Sequence, residues 1–484
     1  MVTAEIRTDT PQFANDLADM LRLFFGQIEI RVNEDFAAQY HVKTETTQTE
    51  TEFLSRVTLI EADNSAFENA KTQKTADALL QKRLMKRSLK IALYKLLKRF
   101  TGIKPAWGSL TGIRPTRLLY EGMSEGMSAK ESADRMAELY DVDEDKLSLL
   151  MEIAASQSLV PPPAENEVGI YIGIPFCVTR CSYCSFSGGE IGNGKKVEPY
   201  LSALFREMEG VRELVSEKGL KVRAVYIGGG TPTSLSATQL GRLMDKTTKM
   251  FDVSREFTVE AGRPDTINAD KLAAMKSVGV MRISINPQTM NDSTLEVIGR
   301  KHTARDTISA FELSRKFGFD NINMDVIAGL PGENEVDFAH TLDEIRVLSP
   351  ESLTVHSLAI KHSSRMHLEN HPLPKAEMVS KMVDMGRWAA NEMGMKAYYL
   401  YRQKYMAGNM ENVGYSAPGR ACVYNIDMME ETGSVLGLGL GAMSKRVYPT
   451  GGRIERAPNL ADILLYTASP DEMVERKRLL YAKL

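Results

Sequence analysis

Residues 169–190 read GIYIGIPFCVTRCSYCSFSGGE and contain three of the four cysteines in the chain. Cys177, Cys181 and Cys184 have the spacing C-x3-C-x2-C, so one short loop supplies three thiolates and no fourth. Soft thiolates favour iron–sulfur clusters or zinc, but a closed zinc site uses four ligands, usually as two separated pairs. The spacing therefore favours a [4Fe-4S] cluster with three irons bound by protein and one free to bind a small molecule. Two alternatives are zinc completed by Cys422 or a histidine, and buried thiols without metal.

The composition is that of an ordinary globular protein. Hydrophobic residues make up 43% and charged residues 25% of the 484 residues, and the net charge of -3 favours no class of partner. Because three of the four cysteines share one loop, they do not form a disulfide framework, and we expect the reducing cytoplasm. No stretch approaches the ~18 apolar residues of a spanning helix, and the N-terminus lacks a signal-peptide pattern. Neither secretion nor membrane insertion is predicted.

Residues 1–160 differ from the remainder of the chain. Residues 13–25 are apolar at helical spacing, and residues 28–32 and 53–60 alternate as strands do, which predicts a small α+β unit. Residues 71–104 then carry eleven Lys or Arg against one acid, Asp77. Apolar residues recur there at helical intervals: Met85, Leu89, Ala92, Leu96 and Phe100. This pattern predicts a basic amphipathic helix.

The basic helix has two interpretations. It could bind phosphate groups of RNA or of anionic lipid, or an acidic electron donor. It could equally be a solvated helix face whose charge is balanced by acids elsewhere in the chain.

Three consecutive prolines, Pro161 to Pro163, form a stiff spacer that predicts a domain boundary. After the spacer, strands alternate with amphipathic helices. The predicted strands are residues 169–174, 224–227, 256–260, 281–286, 321–327 and 352–357. Such alternation predicts a parallel α/β sheet curled into a full or partial barrel, with function at the carboxyl ends of the strands. We therefore predict three parts: an N-terminal α+β and basic helical region (1–160), a barrel (161–375) and a C-terminal extension (376–484).

Unusual residues follow these predicted strands. The cysteine loop follows the first strand, and Gly228, Gly229 and Gly230 follow the second, where the absence of Cβ atoms lets backbone approach a ligand. Glu260 ends the third strand and Asp325 lies in the fifth, where a carboxylate can accept hydrogen bonds from ribose hydroxyls. Each feature also has a plain explanation as a turn, a helix cap or an ion pair. Their succession along the strands favours a ligand site.

Several motifs resemble a known family. YIGIPFC, GGGTPT, FTVEAGRPD, RISINPQT, INMDVIAGLPGE and LGLGLGAMS resemble, in this order, the signatures of the oxygen-independent coproporphyrinogen III oxidase branch of radical S-adenosylmethionine (SAM) proteins. TGIRPTRLLYE and ENVGYSAPG are similar, more narrowly, to the HemZ-type coproporphyrinogen dehydrogenases. The resemblance implies an incomplete (β/α)6 radical SAM barrel with an N-terminal α+β and helical region and a C-terminal extension.

The resemblance also implies cofactors and their ligands. Cys177, Cys181 and Cys184 would hold a [4Fe-4S] cluster, and one or two SAM molecules would bind beside it. The implied SAM contacts are Tyr171, Gly229, Gly230, Thr231, Glu260, Gln288, Arg300, Asp325 and Ala359. Tyr183 lies where a second SAM has been placed in some members.

The reaction implied by the resemblance is oxidative decarboxylation of two propionates of coproporphyrinogen III to vinyl groups, giving protoporphyrinogen IX. An unactivated propionate carbon has no acidic proton, so hydrogen abstraction by a carbon radical suits it better than acid–base catalysis. An electron donor of the flavodoxin or ferredoxin type is implied. The substrate carboxylates favour arginine partners. Candidates are Arg263, Arg282, Arg365, Arg402 and Arg420.

Two other functions remain open. Better-known oxidases of this branch continue the cluster motif as C-x-C, whereas here Ser185 and Phe186 follow Cys184. This C-x-F ending resembles the haem chaperones of the same branch. One of four clustered histidines, or Cys422, could then bind haem; the histidines are His356, His362, His367 and His371. A radical SAM enzyme acting on RNA would use the basic helix, although the HemZ-like motifs argue against it and no nucleic acid is expected.

Overall fold

The computed structural model describes residues 2–112, 114–186, 188–361, 363–403, 406–448 and 453–482. The chain forms two compact units, Met1–Met151 with Gly408–Met410 and Glu152–Ala407 with Glu411–Leu484. The division into 1–160, 161–375 and 376–484 stays a prediction.

The first unit contains a five-stranded sheet of order β2-β1-β3-β4-β5. Its strands are β1 (Val2–Thr8), β2 (Ile28–Val32), β3 (Tyr40–Gln48), β4 (Glu52–Glu61) and β5 (Asn64–Gln73). The helices of this part of the chain are α1 (Ala14–Phe25), α2 (Ala78–Thr101), α3 (Thr116–Ser124), α4 (Ala129–Tyr140) and α5 (Glu144–Gln157), the last of which ends in the second unit. Apolar residues of α1 and α2 pack with Ile6, Val42 and Val57 of the sheet in one core. The α+β prediction is confirmed.

The basic helix is shorter than predicted. Lys71 belongs to β5, and α2 begins at Ala78 because the Asp77 side chain accepts hydrogen bonds from the first free N–H groups. The helix ends before Gly102, which has a left-handed conformation (φ 69°). Its apolar stripe is confirmed as core, since Leu89, Ala92 and Leu96 are buried. Several of its cations pair with acids of the same unit: Lys86 with Asp16, Lys98 with Asp141 and Arg99 with Glu68.

The second unit is built on an 11-stranded sheet of order β14-β15-β13-β12-β11-β10-β9-β6-β16-β17-β18, with a separate two-stranded pair β7-β8. The strands are β6 (Glu167–Ile174), β7 (Phe176–Cys177), β8 (Gly189–Glu190), β9 (Lys221–Gly229), β10 (Phe257–Gly262), β11 (Arg282–Ile285), β12 (Ile322–Ala328), β13 (Ser352–Ser357), β14 (Lys396–Tyr401), β15 (Asn412–Ser416), β16 (Ser434–Leu438), β17 (Met443–Val447) and β18 (Ile454–Pro458).

The helices of the second unit follow most of its parallel strands and also lie in the C-terminal extension. They are α6 (Val197–Glu217), α7 (Ala237–Met250), α8 (Ala269–Ser277), α9 (Asp292–Val297), α10 (Ala304–Lys316), α11 (Glu335–Leu348), α12 (Arg365–Leu368), α13 (Ala376–Glu392), α14 (Val423–Met429), α15 (Ile463–Ala468) and α16 (Pro470–Tyr481). Short 3-10 turns occur at Pro11–Phe13, Pro232–Ser234, Pro264–Thr266 and Ala407–Asn409.

All six predicted barrel strands are present, as β6 and β9 to β13, and they lie side by side and parallel. Their residues are largely buried, as expected for parallel strands covered on both faces. The C-terminal extension adds strands at both edges of this sheet: β15 pairs antiparallel with β13, and β16 pairs parallel with β6. The parallel order brings the carboxyl ends of the six strands to one edge, where the predicted site residues follow them.

Among the described residues, no helix is long and apolar enough to cross a membrane.

Candidate functional site

The cysteine loop begins directly after β6 and carries the three free thiols Cys177, Cys181 and Cys184. The short pair of β7 with β8 closes the loop, and the N–H of Ile191 donates to the carbonyl of Cys177 at 2.8 Å. All three cysteines are partly exposed. The loop is therefore held at both ends while its sulfur atoms stay accessible.

The glycine run after β9 lies against the cysteine loop. The N–H groups of Gly230 and Thr231 donate to the carbonyls of Ile174 and Phe176, each at 2.7 Å. A Cβ atom at Gly230 would lie 2.6 Å from the Phe176 oxygen and 3.0 Å from Cys177 Sγ, so no larger residue fits without displacing the loop. The sequence predicts that these glycines let backbone approach a ligand closely, and the close neighbour of Gly230 in the structure is the cysteine loop.

The surroundings of the thiols fit an iron–sulfur cluster. Burial raises the pKa of the Cys177 and Cys184 thiols, and Arg263 and Arg300 lie close enough to oppose that rise at Cys177 and Cys184, respectively. The Thr231 hydroxyl donates to Cys177 Sγ and the Phe186 N–H to Cys184 Sγ, each at 3.5 Å. Positive charge and hydrogen-bond donors around sulfur stabilise thiolates that bind a cluster.

A zinc site completed by Cys422 does not fit this geometry. The Cys422 thiol is buried and donates to Glu256 at 3.4 Å, just before β10 begins, which is the amino end of the sheet. The cysteine loop follows the carboxyl end of β6. Moreover, the described residues contain no group of three His, Cys, Asp or Glu side chains close enough to hold one metal ion. A [4Fe-4S] cluster does not require such a group, because each thiolate binds a different iron.

A cavity of about 350 Å3 opens at the carboxyl ends of the strands, beside the cysteine loop. Three predicted SAM contacts line it: Tyr171, Glu260 and Asp325. One wall comes from the C-terminal extension, which contributes Tyr399, Tyr401, Tyr424, Asn425, Met428, Met429, Leu440, Gly441, Ala442 and Met443. The sequence alone predicts no role for these residues or for Tyr226, which also lines the cavity.

The aromatic residues of the cavity are stacked on one another. The rings of Tyr226 and Tyr424 lie 4.5 Å apart at 22°, and Tyr171 lies 6.2 Å from Tyr424. Two more tyrosines, Tyr399 and Tyr401, have nearly parallel rings 6.4 Å apart. In the sequence KAYYLY these two tyrosines are two residues apart. Because side chains at that spacing share one face of a strand, the spacing could have predicted that they lie together.

The two carboxyl groups in the cavity have opposite electrostatic environments. Burial raises the pKa of Glu260 to about 7, although Tyr226 Oη donates to Oε1 at 2.5 Å and the Gly229 N–H donates to Oε2 at 3.1 Å. Burial would also raise the pKa of Asp325, but His356 and a hydrogen bond of 2.7 Å from Asn323 Nδ2 outweigh it and lower that pKa overall. At neutral pH, Asp325 is therefore charged and Glu260 is partly neutral.

Gln288 and Arg300 have polar atoms without a partner. Gln288 adopts a left-handed backbone conformation (φ 70°), which is strained for a residue with a side chain, and its N–H donates to the Asp325 carbonyl at 2.9 Å. Within the described part of the chain, buried Oε1 of Gln288 and buried Nε of Arg300 have no hydrogen-bond partner. Buried polar atoms are normally satisfied, so these two fit a site for a polar cofactor.

Arg300 also connects to the cysteine loop. Its Nη2 lies 3.4 Å from Tyr183 Oη, and the Cys181 thiol is close enough to affect the pKa of both side chains. The structure thus brings the predicted residues into two adjoining groups, one in the cavity and one around the cysteine loop. Ala359 lies on the loop after β13, in an isolated bridge with Met406.

The candidate arginines divide by position. Arg282 and Arg420 lie at the amino ends of the strands, where Arg282 contacts Glu256 and Arg420 contacts Asp320, so neither reaches the cavity. Arg263 donates to Asp265 and, at 2.6 Å, to Thr179 of the cysteine loop, which it supports. Arg402 is buried, and burial lowers its pKa to about 10. Arg365 is half-exposed beside Glu369.

The described histidines of the predicted group are close in sequence but lie in different surroundings in the structure. His356 lines the cavity, His367 is exposed, and His371 lies on the surface with Nε2 3.5 Å from Glu369 Oε2. His362 lies outside the described residues. One histidine of the predicted group therefore faces the site.

Comparison with known proteins agrees with this architecture. Residues 171–345 match the model of the Radical SAM superfamily. The oxygen-independent coproporphyrinogen-III oxidase-like protein HemZ of Bacillus subtilis is 39% identical over 474 residues, which cover 95% of this chain and 94% of HemZ. The chain belongs to the HemZ-type family of radical SAM proteins. The predicted family is thereby confirmed.

Two more distant relatives of this HemZ-type chain are informative. The haem chaperone HemW of Bacillus subtilis is 41% identical over 194 residues, covering 40% of this chain and 50% of HemW. The solved structure of coproporphyrinogen III oxidase (HemN) from Escherichia coli, described as a radical SAM enzyme, covers 66% of this chain and 73% of its own with a TM-score of 0.50 and 23% identity. The structural similarity to HemN confirms the predicted radical SAM fold.

Family membership identifies the cofactors of this HemZ-type protein as a [4Fe-4S] cluster and SAM. The donor set described above fits both. The assignment of individual residues to SAM stays a prediction.

Proposed function

We propose that this protein is a radical SAM enzyme that decarboxylates two propionates of coproporphyrinogen III to vinyl groups, giving protoporphyrinogen IX. The observation that carries the proposal is the similarity to HemZ, a coproporphyrinogen-III oxidase-like protein, over 95% of the chain. The site-bearing unit and the N-terminal unit are both included in that match. We place the reaction in the cytoplasm, because the free thiols of the cysteine loop need reducing conditions.

The cavity walls suit a tetrapyrrole. Stacked tyrosines and methionines on one side offer a broad apolar surface to a flat ring, while Ser284, Asn323 and Asn425 offer hydrogen bonds. Ser284 Oγ is buried and has no partner in the described part of the chain, so it is available to a ligand.

In the proposed reaction, different residues of the chain bind the cofactors and exclude water. Cys177, Cys181 and Cys184 would hold the cluster, and Glu260 and Asp325 would accept hydrogen bonds from the ribose of SAM. When bound, cluster and SAM together supply a carbon radical that can take a hydrogen atom from an unactivated propionate carbon. The aromatic walls exclude water from that carbon. Loss of CO2 also requires an electron acceptor.

A flavodoxin- or ferredoxin-type protein would supply the electron to the cluster. We expect the basic face of α2 to attract such an acidic donor. Reversing the charges of Lys86, Arg87 and Lys90 should slow cluster reduction by flavodoxin and leave reduction by dithionite unchanged. Equal rates with flavodoxin would remove this role of α2.

An anaerobic assay tests the function. Reconstituted protein is supplied with SAM, reductant, an electron acceptor and coproporphyrinogen III, and the product is read by mass for the loss of two CO2. Cys184→Ala serves as the control that should lose activity. A wild-type preparation that cleaves SAM and leaves the substrate mass unchanged would contradict the proposal.

A haem carrier is the second candidate, favoured by Phe186. This residue stands where C-x-C oxidases have cysteine, its ring lines the cavity, and it would lie 3.3 Å from a Cβ at Gly229. The similarity to HemW, a haem chaperone, also supports this candidate. A carrier would bind haem stoichiometrically, with a Soret band that changes in His356→Ala, and would not decarboxylate coproporphyrinogen III.

A further inference from the structure

The charges on the cavity walls are unusual for a site that takes a polycarboxylate. Two acids line it, Glu260 and Asp325, and among the described lining residues there is no lysine or arginine. A propionate carboxylate entering such a cavity would lose water and meet negative charge, which is costly unless a cation or strong donor compensates. The candidate arginines do not compensate, because Arg282 and Arg420 lie at the opposite end of the strands. Of the lining residues that the structure describes, His356 alone has a basic side chain.

His356 is placed to donate a hydrogen bond to such a carboxylate. It lies near the carboxyl end of β13, opposite Ile327 of β12, and its Nε2 is 3.7 Å from Asp325 Oδ2. The other oxygen of Asp325 is occupied by Asn323 Nδ2 at 2.7 Å, which fixes the carboxylate plane. In the described part of the chain, no hydrogen bond is made to Nδ1 of His356. The side chain is 26% exposed, so a ligand in the cavity can reach Nδ1.

A carboxylate bound at Nδ1 and Asp325 beside Nε2 are both acceptors, so the bound state needs an N–H group on each ring nitrogen of His356. Asp325 carries a lowered pKa and stays ionised at neutral pH, so its carboxylate is an anionic acceptor 3.7 Å from Nε2. Glu260, whose pKa burial raises to about 7, is partly neutral there and repels a carboxylate less than an ionised acid would. Tyr399 and Tyr401 on β14 and Tyr226 on β9 are the remaining titratable groups among the described residues of this part of the wall, and they are neutral at that pH.

We infer that His356 binds a propionate carboxylate of the porphyrinogen, with Asp325 orienting the imidazolium and Nδ1–H donating to the substrate. The inference rests on the proposed function and names the group that recognises its substrate. It also gives Asp325 two roles, since the same carboxylate that faces SAM would hold the substrate's counter-charge. The reacting side chain would thereby lie next to the SAM site.

Binding, rather than turnover, provides the sharpest test. Anaerobic holoprotein is titrated with coproporphyrin III, the stable oxidised form of the substrate, and with its tetramethyl ester, and quenching of porphyrin fluorescence gives both dissociation constants. The wild type should prefer the tetra-acid, and His356→Phe should weaken its binding by about 10- to 100-fold, the usual effect of losing one charge-assisted hydrogen bond, while ester binding changes little. His356→Lys keeps the positive charge and should retain much of the preference. His340→Gln, on the exposed face of α11, is the matched control and should bind as the wild type does.

The outcomes separate this inference from the proposed function. An unchanged acid-over-ester preference in His356→Phe, or no such preference in the wild type, overturns the role of His356. If the preference is lost in His356→Phe and the wild type nevertheless fails to release CO2 from coproporphyrinogen III, the carboxylate site stands and the decarboxylase function fails. A wild-type content of iron and sulfide in His356→Phe, together with unchanged binding of the tetramethyl ester, excludes general damage to the protein as the cause.

Discussion

Lys477 Nζ lies 2.7 Å from Glu207 Oε1, and both side chains are completely buried. Glu207 on α6 also accepts hydrogen bonds from Tyr466 Oη at 2.6 Å and from the Gly439 N–H at 2.9 Å. Asn459 Nδ2 completes the network with a bond of 2.8 Å to Glu207 Oε1. Gly439 directly precedes the turn that forms one cavity wall. A charged pair between α6 and α16 therefore fixes the wall from behind.

Removing one partner of this pair should be severely destabilising. Lys477→Met leaves Glu207 as an uncompensated buried charge, which costs about 3–5 kcal/mol of unfolding free energy. The exposed pair Arg206–Asp471, which also joins α6 to α16, is the control, and Asp471→Asn should cost less than about 1 kcal/mol. Anaerobic urea denaturation measures both. Similar small effects of the two substitutions would show that burial of the Lys477 pair does not govern stability.

Gly230→Ala should lose the cluster. The added Cβ would press on the Phe176 carbonyl and on Cys177 Sγ, so the cysteine loop must move. We expect iron and sulfide per chain to fall well below the wild-type value after anaerobic reconstitution. Gly241→Ala is the matched control because a Cβ there meets nothing within 4 Å, and in helix α7 it should add about 1 kcal/mol of stability. Full iron content in Gly230→Ala would mean that the loop adapts.

Replacing a cysteine of the loop should abolish cluster binding, whereas replacing Cys422 should not. Cys177→Ala, Cys181→Ala and Cys184→Ala each remove one predicted iron ligand and should abolish the visible absorbance of the reconstituted cluster. Cys422→Ala should keep it, because Cys422 lies at the amino ends of the strands beside Glu256. Loss of the cluster in Cys422→Ala, or its retention in Cys181→Ala, would contradict the assignment.

Glu260 should make stability depend on pH. Its pKa is about 7 in the folded protein against 4.5 without perturbation, so folding takes up a proton between these values and wild-type stability falls as pH rises through that range. Glu260→Gln lacks this dependence. Its stability relative to the wild type should therefore increase by at most about 3 kcal/mol between pH 5 and pH 8.

Thermal denaturation of the two anaerobic holoproteins across that pH range measures the effect. A difference in midpoint that stays constant from pH 5 to pH 8 would show that Glu260 titrates normally.

Much of the barrel could be predicted from the sequence, because the patterns that specify its strands and helices lie within short stretches of the chain. Each buried parallel strand is a short apolar run bounded by turn residues, and each helix shows a 3.6-residue stripe, so both periods are visible in the chain. The basic helix was overextended because Lys71 and Lys104 matched its charge pattern, while the Asp77 cap and Gly102 determined its ends. Caps act through single hydrogen bonds, which charge patterns do not reveal.

The candidate site was only partly predictable. The predicted cluster and SAM residues follow motifs in which spacing carries the chemistry, whereas Tyr226, Tyr399 and Tyr424 meet in the cavity from three distant segments. Likewise, Arg282 and Arg263 are equally plausible carboxylate partners in sequence, yet one lies at the amino end of its strand and the other supports the cysteine loop.

By itself, the sequence determined the three-thiolate loop, the order of the barrel strands and the family, because these depend on residue spacing along one chain. Only the tertiary structure decided that the C-terminal extension pairs with both edges of the sheet, that Cys422 is remote from the cluster loop and that His356 faces the cavity beside Asp325. Those relationships join residues far apart in the chain, and they arise from the parallel register that brings the strand ends together.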